Sequence, residues 1–291
     1  MSNTATVLAF DFGASSGRAI RAVYDGQNLT YEEIHRFENV PIEKDGHLCW
    51  DVETLLKEIH TAIQKAGTFD SLGFDTWGVD FGLLDTDGHL LANPVHYRDA
   101  RTNGKPEQAA ARMPAEELYA HTGNQIMAIN TLFQLLALRE QDPELLQKAE
   151  QILFMPDLFA ALLGAEPVCE RSIASTSQML DPRTGQWSRE VLAAYGLNAN
   201  RFAPLVASGT VTGTLANGAK IIAVAGHDTQ CASAAMPCAE EDAEHTAFLS
   251  CGTWSLLGTE LDAPILTADS CQSGLSNELG ANGKINYLKN I

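Results

Sequence analysis

Three apolar runs in this chain end in the same kind of turn, and this ending restricts the possible folds more than any other feature. The segments are Thr6–Arg18 (TVLAFDFGASSGR), Ile221–Ala234 (IIAVAGHDTQCASA) and Thr246–Gly258 (TAFLSCGTWSLLG). Each predicts a buried strand followed by a glycine turn with small hydroxyl or acidic side chains. Such turns point backbone N–H groups and a carboxylate at phosphates and a metal ion. Three of them in one chain indicate phosphoryl transfer.

The composition argues against several classes of partner. The 291 residues carry a formal net charge of −18, and 45% of them are apolar, which is enough for a core in one large or two ordinary domains. Nucleic acid and anionic membranes bind basic surfaces, so neither is an expected partner. No basic stretch opens the chain, and no run reaches the roughly 18 apolar residues of a membrane span. We therefore expect a cytoplasmic protein with reduced cysteines.

The periodicity of apolar residues predicts an α/β domain with a mixed five-stranded sheet. Strand patterns lie at Thr6–Phe12, Gly17–Tyr24, Tyr31–Phe37, Ser71–Asp75 and Ile221–Ala225, and Gly78–Leu84 is expected to pair with Ser71–Asp75. Apolar residues at helical spacing predict a helix over Asp51–Ala66, with Asp51 as its N-cap. A helical insertion is expected at about 105–165.

The acidic, polar segment Cys238–Glu244 predicts a linker. It would separate a first domain at 1–240 from a second unit at 246–291, whose roughly 45 residues are too few for a core of their own.

The first glycine turn offers an anion site. Asp11 ends a strand, Gly13 permits a tight turn, and Ala14–Arg18 place backbone amides and hydroxyls beside it. Asp11 would organise the water ligands of Mg²⁺. The alternative is an ordinary β-hairpin. The turn lacks the G-x-x-x-x-G-K-[ST] motif of a Walker loop, and a strand follows it where a dinucleotide-binding fold has a helix.

Asp228 is the candidate catalytic base. It follows His227 at the end of a strand, where a carboxylate could take a proton from a sugar hydroxyl that attacks phosphorus. The alternative, which is compatible with catalysis, is that Asp228 caps the helix predicted over Thr229–Ala235.

Three further segments have both a functional and a structural explanation. Asp75–Phe81 puts an indole and two carboxylates at a corner that could hold a sugar, or it is a hairpin with a core tryptophan. His96–Thr102 is a charged loop that could bind hydroxyls, or a solvated turn with an ion pair. Gly252–Ser255 repeats the anion-binding pattern of the first turn, or is a simple β-turn.

Phosphate turns at both ends of the chain, with an acid between them, resemble the actin- and hexokinase-like ATPases. The strings AFDFGASSGR, EIHRF, DTWGVDFGLLD, YRDARTNG, AGHDT, SCGTWSLLG and YLKNI resemble the FGGY carbohydrate kinase family, in order and with few gaps from Val7 to Ile291. The first and third strings together form a specific combination, closest to the members that phosphorylate L-rhamnulose.

The resemblance implies a ribonuclease-H-like (actin-like ATPase) domain with a mixed sheet and a helical insertion, followed by the start of a second such domain. It implies ATP and Mg²⁺ as cofactors and transfer of the γ-phosphate to the 1-hydroxyl of L-rhamnulose. Two alternatives stay open. One is a related ketose kinase acting on L-fuculose or xylulose, and the other is a sugar-binding fragment without activity.

The resemblance also implies roles for individual residues. The first ATP phosphate loop would consist of Ala14, Ser15, Ser16, Gly17 and Arg18, with Asp11 near Mg²⁺. Thr253 would belong to the second phosphate loop, and Asn290 matches a nucleotide-contacting position.

On the sugar side, Gly78, His227 and Asp228 would contact the ketose, with Asp228 as the base. Chemistry and location, without the resemblance, add five residues to the sugar pocket: Trp77, Asp80, Arg98, Asp99 and Arg101.

Members of this family continue well past the position that matches Ile291, and the further part carries the adenosine site. We therefore expect the 291-residue chain to bind sugar weakly and to turn over little or no ATP. The segment Thr246–Leu257 is expected to be a poorly covered edge that promotes self-association.

Overall fold

The computed structural model describes residues 4–238, 242, 245–252 and 254–291. Its strands are β1 Ala5–Phe12, β2 Ser16–Tyr24, β3 Leu29–Glu38, β4 Ile42–Lys44, β5 His47–Cys49, β6 Ser71–Thr76, β7 Phe81–Leu84, β8 Gln151–Phe154, β9 Cys169–Glu170, β10 Leu180–Asp181, β11 Gln186–Trp187, β12 Leu205–Val206, β13 Thr210–Thr214, β14 Lys220–Ala223, β15 Ala247–Cys251, β16 Ser255–Leu261, β17 Ser276–Leu279 and β18 Ile285–Asn290. Its helices are α1 Val52–Ala66, α2 Lys105–Ala109, α3 Ala115–Thr122, α4 Thr131–Gln141, α5 Pro143–Lys148, α6 Met155–Leu162, α7 Arg171–Ala174, α8 Arg189–Tyr195, α9 Asp228–Ala234 and α10 Ala268–Gln272.

The larger sheet of the described residues, called here the first sheet, has the order β13-β14-β6-β1-β2-β3. β1 runs parallel to β6, and β6 runs parallel to β14, whereas β2, β3 and β13 are antiparallel to their neighbours. The predicted mixed sheet is therefore confirmed. It contains six strands where five were expected, because β13 adds to the edge of β14. The sequence of β13, TVTGT, has a glycine and little apolar content, so its strand signal is weak.

An aromatic cluster holds the middle of the first sheet. Leu8, Phe10 and Phe12 alternate along β1 and are fully buried, because successive side chains of a strand point to opposite faces and only every second one enters this core. Phe10 stacks on Phe74 of β6 with ring centroids 4.9 Å apart, and Phe12 stacks on Phe159 of α6 at 4.8 Å. These contacts fix the carboxyl ends of the two central strands.

Helix α1 begins and ends where the sequence predicts. The Asp51 side chain accepts a hydrogen bond from the N–H of Thr54 at 3.2 Å, which is the N-cap contact. Gly67 ends the helix with φ of 66°, in the left-handed region that favours glycine. Leu55 and Ile59 face the core of the first sheet.

The predicted pairing of Gly78–Leu84 with Ser71–Asp75 is wrong. Both edges of β6 are occupied, by β1 on one side and β14 on the other. The chain therefore leaves the sheet after Thr76, and β7 pairs antiparallel with β8 instead. The sequence spacing suits a hairpin, but parallel pairing with two strands far away in sequence occupies both edges of β6.

The helical insertion predicted at about 105–165 is present as α2 to α6, interrupted by β8. Helices α2 to α4, together with α8, surround a second apolar cluster whose most buried members include Leu132, Phe133 and Tyr195. Within the described part of the chain, every helix is too short or too polar to cross a membrane.

The last strands form a smaller antiparallel sheet, called here the second sheet, with the order β15-β16-β18-β17. Its own apolar cluster consists of Phe248, Leu256 and Leu288. Leu279 and Ile285 instead join the core of the first sheet. The second sheet therefore rests on the first one, and the division of domains at 240 and 246 stays a prediction. Of the expected linker, only residues 238 and 242 are described.

Candidate active site

The carboxyl ends of β1, β6 and β14 meet at one edge of the first sheet, because these three strands are parallel. Asp11 and Asp75 are register partners at that edge, and Thr76 forms a backbone bridge with His227. A cavity of ≈ 530 Å³ opens there, between this edge, the helical insertion and the second sheet. The segments that line it contribute Asp11, Ala14, Ser15, Ser16, Arg18, Asp75, Trp77, Gly78, Tyr97, Asn124, Gln125, Asn130, His227, Asp228, Cys251, Gly252, Trp254, Glu278 and Asn290, among others.

The first glycine turn is held rigidly against the cavity. The N–H of Gly13 donates to the carbonyl of Ser16 at 2.9 Å. Buried Asn39 donates its side-chain N–H to the Gly13 carbonyl at 2.9 Å and its backbone N–H to the Ser15 carbonyl at 3.0 Å. With these carbonyls satisfied, the turn can present its N–H and hydroxyl groups to an anion.

Gly17 belongs to the same turn but does not line the cavity. A Cβ atom on it would lie 2.2 Å from the Phe37 ring, so the glycine is required by packing. Its contact with phosphate stays a prediction.

Asp11 and Arg18 form an ion pair at the mouth of the turn. Arg18 donates to Asp11 Oδ2 from Nε at 2.7 Å and from Nη2 at 2.6 Å. Both side chains also face the cavity. The Asp11 carboxylate can therefore bind a second cation only if that cation and Arg18 share it.

Asp75 is a functional candidate that the sequence analysis noticed only as one of two carboxylates at a corner. Burial raises its pKa well above the ordinary value, and the nearby Asp11 and Asp228 raise it further. The signal that could have found it is the register of two parallel strands, which places Asp75 beside Asp11. The carboxylates of Asp11, Asp75 and Asp228 repel one another when ionised. Such a group is suited to binding a cation or to sharing a proton.

Asp228 is the first residue of α9, and His227 occupies the N-cap position. The expectation that Asp228 is the N-cap is therefore wrong by one residue. Its Oδ1 accepts hydrogen bonds from Thr229 N–H at 2.6 Å and Thr229 Oγ1 at 3.2 Å, while its side chain stays 42% exposed to the cavity. Burial raises the pKa of Asp228, and the charge of His227 opposes that rise.

His227 lies between two carboxylates. Its Nδ1 is 2.8 Å from Glu278 Oε2 and its Nε2 is 3.4 Å from Asp228 Oδ1. Burial lowers the pKa of His227, but Glu278, followed by Asp228 and Asp75, outweighs burial and raises the pKa to about 9. The ring is thus an imidazolium near neutral pH. The sequence analysis missed Glu278, because it lies 51 residues away in the second sheet.

The tryptophan corner is divided between the cavity and the core. Trp77 and Gly78 line the cavity. Asp80 does not, because its buried carboxylate accepts hydrogen bonds from both indoles, Trp50 at 2.6 Å and Trp77 at 3.0 Å, and from Gln134 at 2.8 Å. Asp80 therefore orients the two rings, whose centroids are 3.9 Å apart with their planes tilted by 30°, and its predicted contact with sugar is not supported.

Of the charged loop His96–Thr102, Tyr97 lines the cavity, but Arg98, Asp99 and Arg101 do not. Arg98 is exposed and lies over the Tyr97 ring at 5.3 Å, so that Tyr97 faces the cavity in its place. Asp99 accepts hydrogen bonds from the Leu48 and Arg101 N–H groups and closes a short turn. Arg101 donates to Gln134 at 2.8 Å. The contacts of these three residues are therefore structural, although Arg101 is half-buried and bonds to an amide, where a solvated turn with an ion pair was the alternative.

The loop at 124–130 supplies cavity residues that no sequence pattern indicated. Asn124 is buried, and its Oδ1 has no hydrogen-bond partner although the residue lines the cavity. Asn290 also lines it and donates to Gln125 Oε1 at 3.2 Å. Thr253 lies outside the described residues, but its neighbours Gly252 and Trp254 both line the cavity.

A separate acidic group lies on the exposed turn at Asp85, Asp87 and His89, where the donor atoms are within 4.8 Å of one another. Asp85 Oδ1 already accepts hydrogen bonds from the N–H groups of Asp87 at 2.9 Å and His89 at 2.8 Å. This is the usual pattern of an aspartate that stabilises its own turn, so the group needs no metal.

Comparison with known proteins shows which family this chain resembles. The N-terminal domain model of the FGGY family of carbohydrate kinases matches residues 6–234. A protein named Rhamnulokinase from Bacteroides thetaiotaomicron is 42% identical over 297 aligned residues, which cover 98% of this chain and 61% of that protein. The chain therefore spans about three fifths of the length of the curated relative that it matches.

Solved structures share the fold at low identity. A ligand-bound xylulose kinase from Lactobacillus acidophilus has a TM-score of 0.79 at 17% identity, over 97% of this chain and 59% of that one. A gluconate kinase from the same organism has 0.81 at 17%, over 98% and 59%. Glycerol kinase from Plasmodium falciparum with ADP has 0.76 at 16%, over 98% and 61%.

Proposed function

The chain belongs to the FGGY family of carbohydrate kinases, and from this premise we propose that it carries the sugar-binding and phosphoryl-transfer residues of an ATP-dependent L-rhamnulose kinase. The 42% identity to a protein named Rhamnulokinase supports this choice of ketose. The reaction transfers the γ-phosphate of ATP to the 1-hydroxyl of the sugar.

One observation carries the proposal: a carboxylate suited to be a base and a braced anion turn face the same cavity. Asp228 projects into it from α9, and the Gly13–Ser16 turn forms another part of its wall. In the proposed step, Asp228 accepts the proton of the sugar hydroxyl while the hydroxyl oxygen bonds to the γ-phosphorus. The bond from that phosphorus to the bridging oxygen breaks, and ADP leaves with the electron pair.

The protein environment of Asp228 suits this role. The His227 imidazolium opposes the rise in pKa that burial causes, and so favours the ionised form of Asp228 that a base requires. The N–H of Thr229 holds the same carboxylate at 2.6 Å, which fixes its direction without covering it. A base held in this way needs little reorganisation when substrate arrives.

The sugar is proposed to lie against Trp77, Gly78 and Tyr97. Aromatic faces favour the C–H groups of a sugar ring, and Gly78 lines the same wall of the cavity.

ATP is assigned to the side of the cavity formed by Ala14, Ser15, Ser16 and Arg18, with Thr253 and Asn290 as further predicted contacts. The neighbouring carboxylates Asp11 and Asp75 would repel the phosphates unless a cation stood between them, so the donor set fits Mg²⁺. We assign the ion to Asp11. When bound, Mg²⁺ neutralises phosphate charge.

Calorimetric titration of L-rhamnulose into the 291-residue chain tests the proposal, with Asp228→Asn and the exposed control Asp87→Asn measured alongside. We expect saturable binding by the wild type and the control, and weaker binding by Asp228→Asn. In a coupled assay of ADP formation, any sugar-dependent turnover should fall about 10²- to 10⁴-fold in Asp228→Asn.

The outcomes separate the alternatives. Tighter binding of L-fuculose or xylulose than of L-rhamnulose would reassign the substrate. Sugar binding without ADP formation would favour a sugar-binding role for this chain. Failure of a folded protein to bind any ketose, or equal turnover in Asp228→Asn, would overturn the proposal.

A further inference from the structure

A line of hydrogen-bonded side chains runs from the second sheet to Asp228. Asn286 of β18 donates to Gln230 Oε1, and Gln230 Nε2 donates to Glu278 Oε2 at 2.8 Å. The same Glu278 oxygen is 2.8 Å from His227 Nδ1, and His227 Nε2 is 3.4 Å from Asp228. Two strands of the second sheet are thereby connected to the proposed base.

Each member of this line has its orientation set by the previous one. Because Asn286 donates to the oxygen of the Gln230 amide, the Gln230 nitrogen must face Glu278. Glu278 is 7% exposed and Gln230 is fully buried, so water cannot replace these contacts freely. Glu278 in turn holds Nδ1 of His227, which turns Nε2 of the ring toward Asp228.

The charged groups that most affect His227 among the described residues come from three elements and are acidic. They are Glu278 on β17, Asp228 on α9 and Asp75 on β6. The imidazolium is therefore the cation that the described protein residues place between these carboxylates. Without it, Asp228 would face Asp75 and Asp11 with less compensation for their repulsion.

We propose that Glu278 is a positioning residue for phosphoryl transfer: from the second sheet it orients and charges the His227 ring, and the ring in turn directs and stabilises the Asp228 carboxylate. This inference rests on the proposed function, since it gives Asp228 its role as base. It also means that the packing of β17, a strand of the second sheet, against the first sheet controls the orientation and charge of the Asp228 carboxylate.

The first test measures the histidine ring directly. ¹H–¹⁵N spectra of the side-chain nitrogens, assigned with a His227→Asn variant, should show His227 protonated on both nitrogens at pH 7.5 in the wild type. In Glu278→Gln, which keeps the shape but removes the charge, the titration midpoint should fall by at least one pH unit. Glu260→Gln, a change of the same kind in β16 that is not part of the cavity lining, should leave it unaltered.

The kinetic test separates positioning from loss of structure. In any sugar-dependent turnover that this chain supports, Glu278→Gln should lower kcat about tenfold at pH 7.5 with little change in KM for the sugar, and should move the acid limb of the pH profile upward. If the chain shows no turnover, the spectra of the histidine ring decide alone. Glu278→Asp, which keeps the charge with a shorter reach, should fall between the wild type and Glu278→Gln.

Failure of this inference is distinguishable from failure of the proposed function. A neutral His227 in the wild type at pH 7.5, or an unchanged midpoint in folded Glu278→Gln, overturns the role of Glu278 whatever the substrate. If Glu278→Gln does not fold, the wild-type spectrum still decides. If the spectra agree with the inference and no ketose binds, the proposed function fails and the histidine arrangement stands as structural.

Discussion

The two sheets differ in how much of their stability they provide themselves. The first sheet is built around β1, which has strands on both sides and an extended aromatic core. The second sheet has an apolar cluster of only Phe248, Leu256 and Leu288, and it passes Leu279 and Ile285 to the core of its neighbour. The second sheet therefore depends on the first sheet for its stability. The first sheet depends much less on the second.

Polar contacts attach the second sheet to the helical insertion. Asn277 on β17 is fully buried and donates to the carbonyls of Gly123 at 3.1 Å and Ile265 at 3.0 Å. Tyr119 of the insertion is 2.5 Å from Ser270, which is 2.7 Å from Tyr287 of β18. The sheet with the smaller core thus contributes Glu278 to the site through directional contacts, which are lost together if the sheet shifts.

A matched pair of core deletions should show the largest effect. Leu8 on β1 and Leu288 on β18 are both fully buried, so Leu8→Ala and Leu288→Ala remove the same atoms from the two cores. Leu8→Ala should cost about 3–5 kcal/mol of unfolding free energy and Leu288→Ala about 2–3, because a small cluster can collapse around the cavity. Denaturant unfolding measures both values.

Hydrogen exchange sharpens the same comparison. In Leu288→Ala, faster exchange should be confined to residues 247–290, whereas Leu8→Ala should accelerate exchange throughout the first sheet. Equal costs with uniform acceleration in both variants would mean that the two sheets unfold as a single unit and that the difference between them is only apparent.

The contact between His227 and Glu278 predicts a smaller, pH-dependent effect. The pKa of His227 is raised to about 9 in the folded protein, above its ordinary value of 6.5. Its stabilising contribution is therefore complete below pH 6.5 and is lost as the pH rises toward 9. Between pH 6.5 and pH 8 this loss should be about 2 kcal/mol of unfolding free energy. At the upper limit of pH 8 most unfolded thiols are still protonated, because their ordinary pKa is about 8.5.

Urea melts of the wild type and Glu278→Gln at pH 6 and pH 8 measure this contribution. The variant should lose most of the difference between the two pH values, while Glu260→Gln should keep it. A wild type whose stability does not fall over this interval would contradict the ionic contact between the sheets.

The sequence predicted those parts of the fold and site that depend on neighbouring residues. The strands at Thr6–Phe12 and Ser71–Asp75, the helix over Asp51–Ala66 and the turn after Asp11 all have local signals: apolar runs, helical spacing, a capping carboxylate and a glycine. The structure places Asp228 in the cavity with that turn, because both follow buried parallel strands.

What sequence reasoning missed depends on pairings between distant segments. The partner of β7 is β8, which lies about 70 residues further along the chain. Asp80 became a buried acceptor for two indoles because α4 and β5 bring Gln134 and the neighbouring Trp50 to it. Glu278 is recognisable as a site residue only once β17 is known to pack beside α9. From the sequence alone, a charged residue that lines the site cannot be distinguished from one that is buried as a structural acceptor.

The smallest effect on stability concerns the outer face of the second sheet. Leu249 and Leu257 are cross-strand neighbours on β15 and β16, with 56% and 47% of their surface exposed. Replacing both by threonine, which suits a strand, should change the unfolding free energy by no more than about 0.5 kcal/mol. It should nevertheless reduce self-association in sedimentation velocity runs at increasing concentration, because two adjacent exposed leucines, one on the edge strand β15 and one on its neighbour β16, form an adhesive patch. Val211→Thr on β13, a single residue 55% exposed at the edge of the first sheet, should change neither quantity. If Val211→Thr reduced association as much as the double variant did, the adhesive edge would belong to the first sheet, and the contrast between a self-sufficient sheet and a dependent one would not extend to their surfaces.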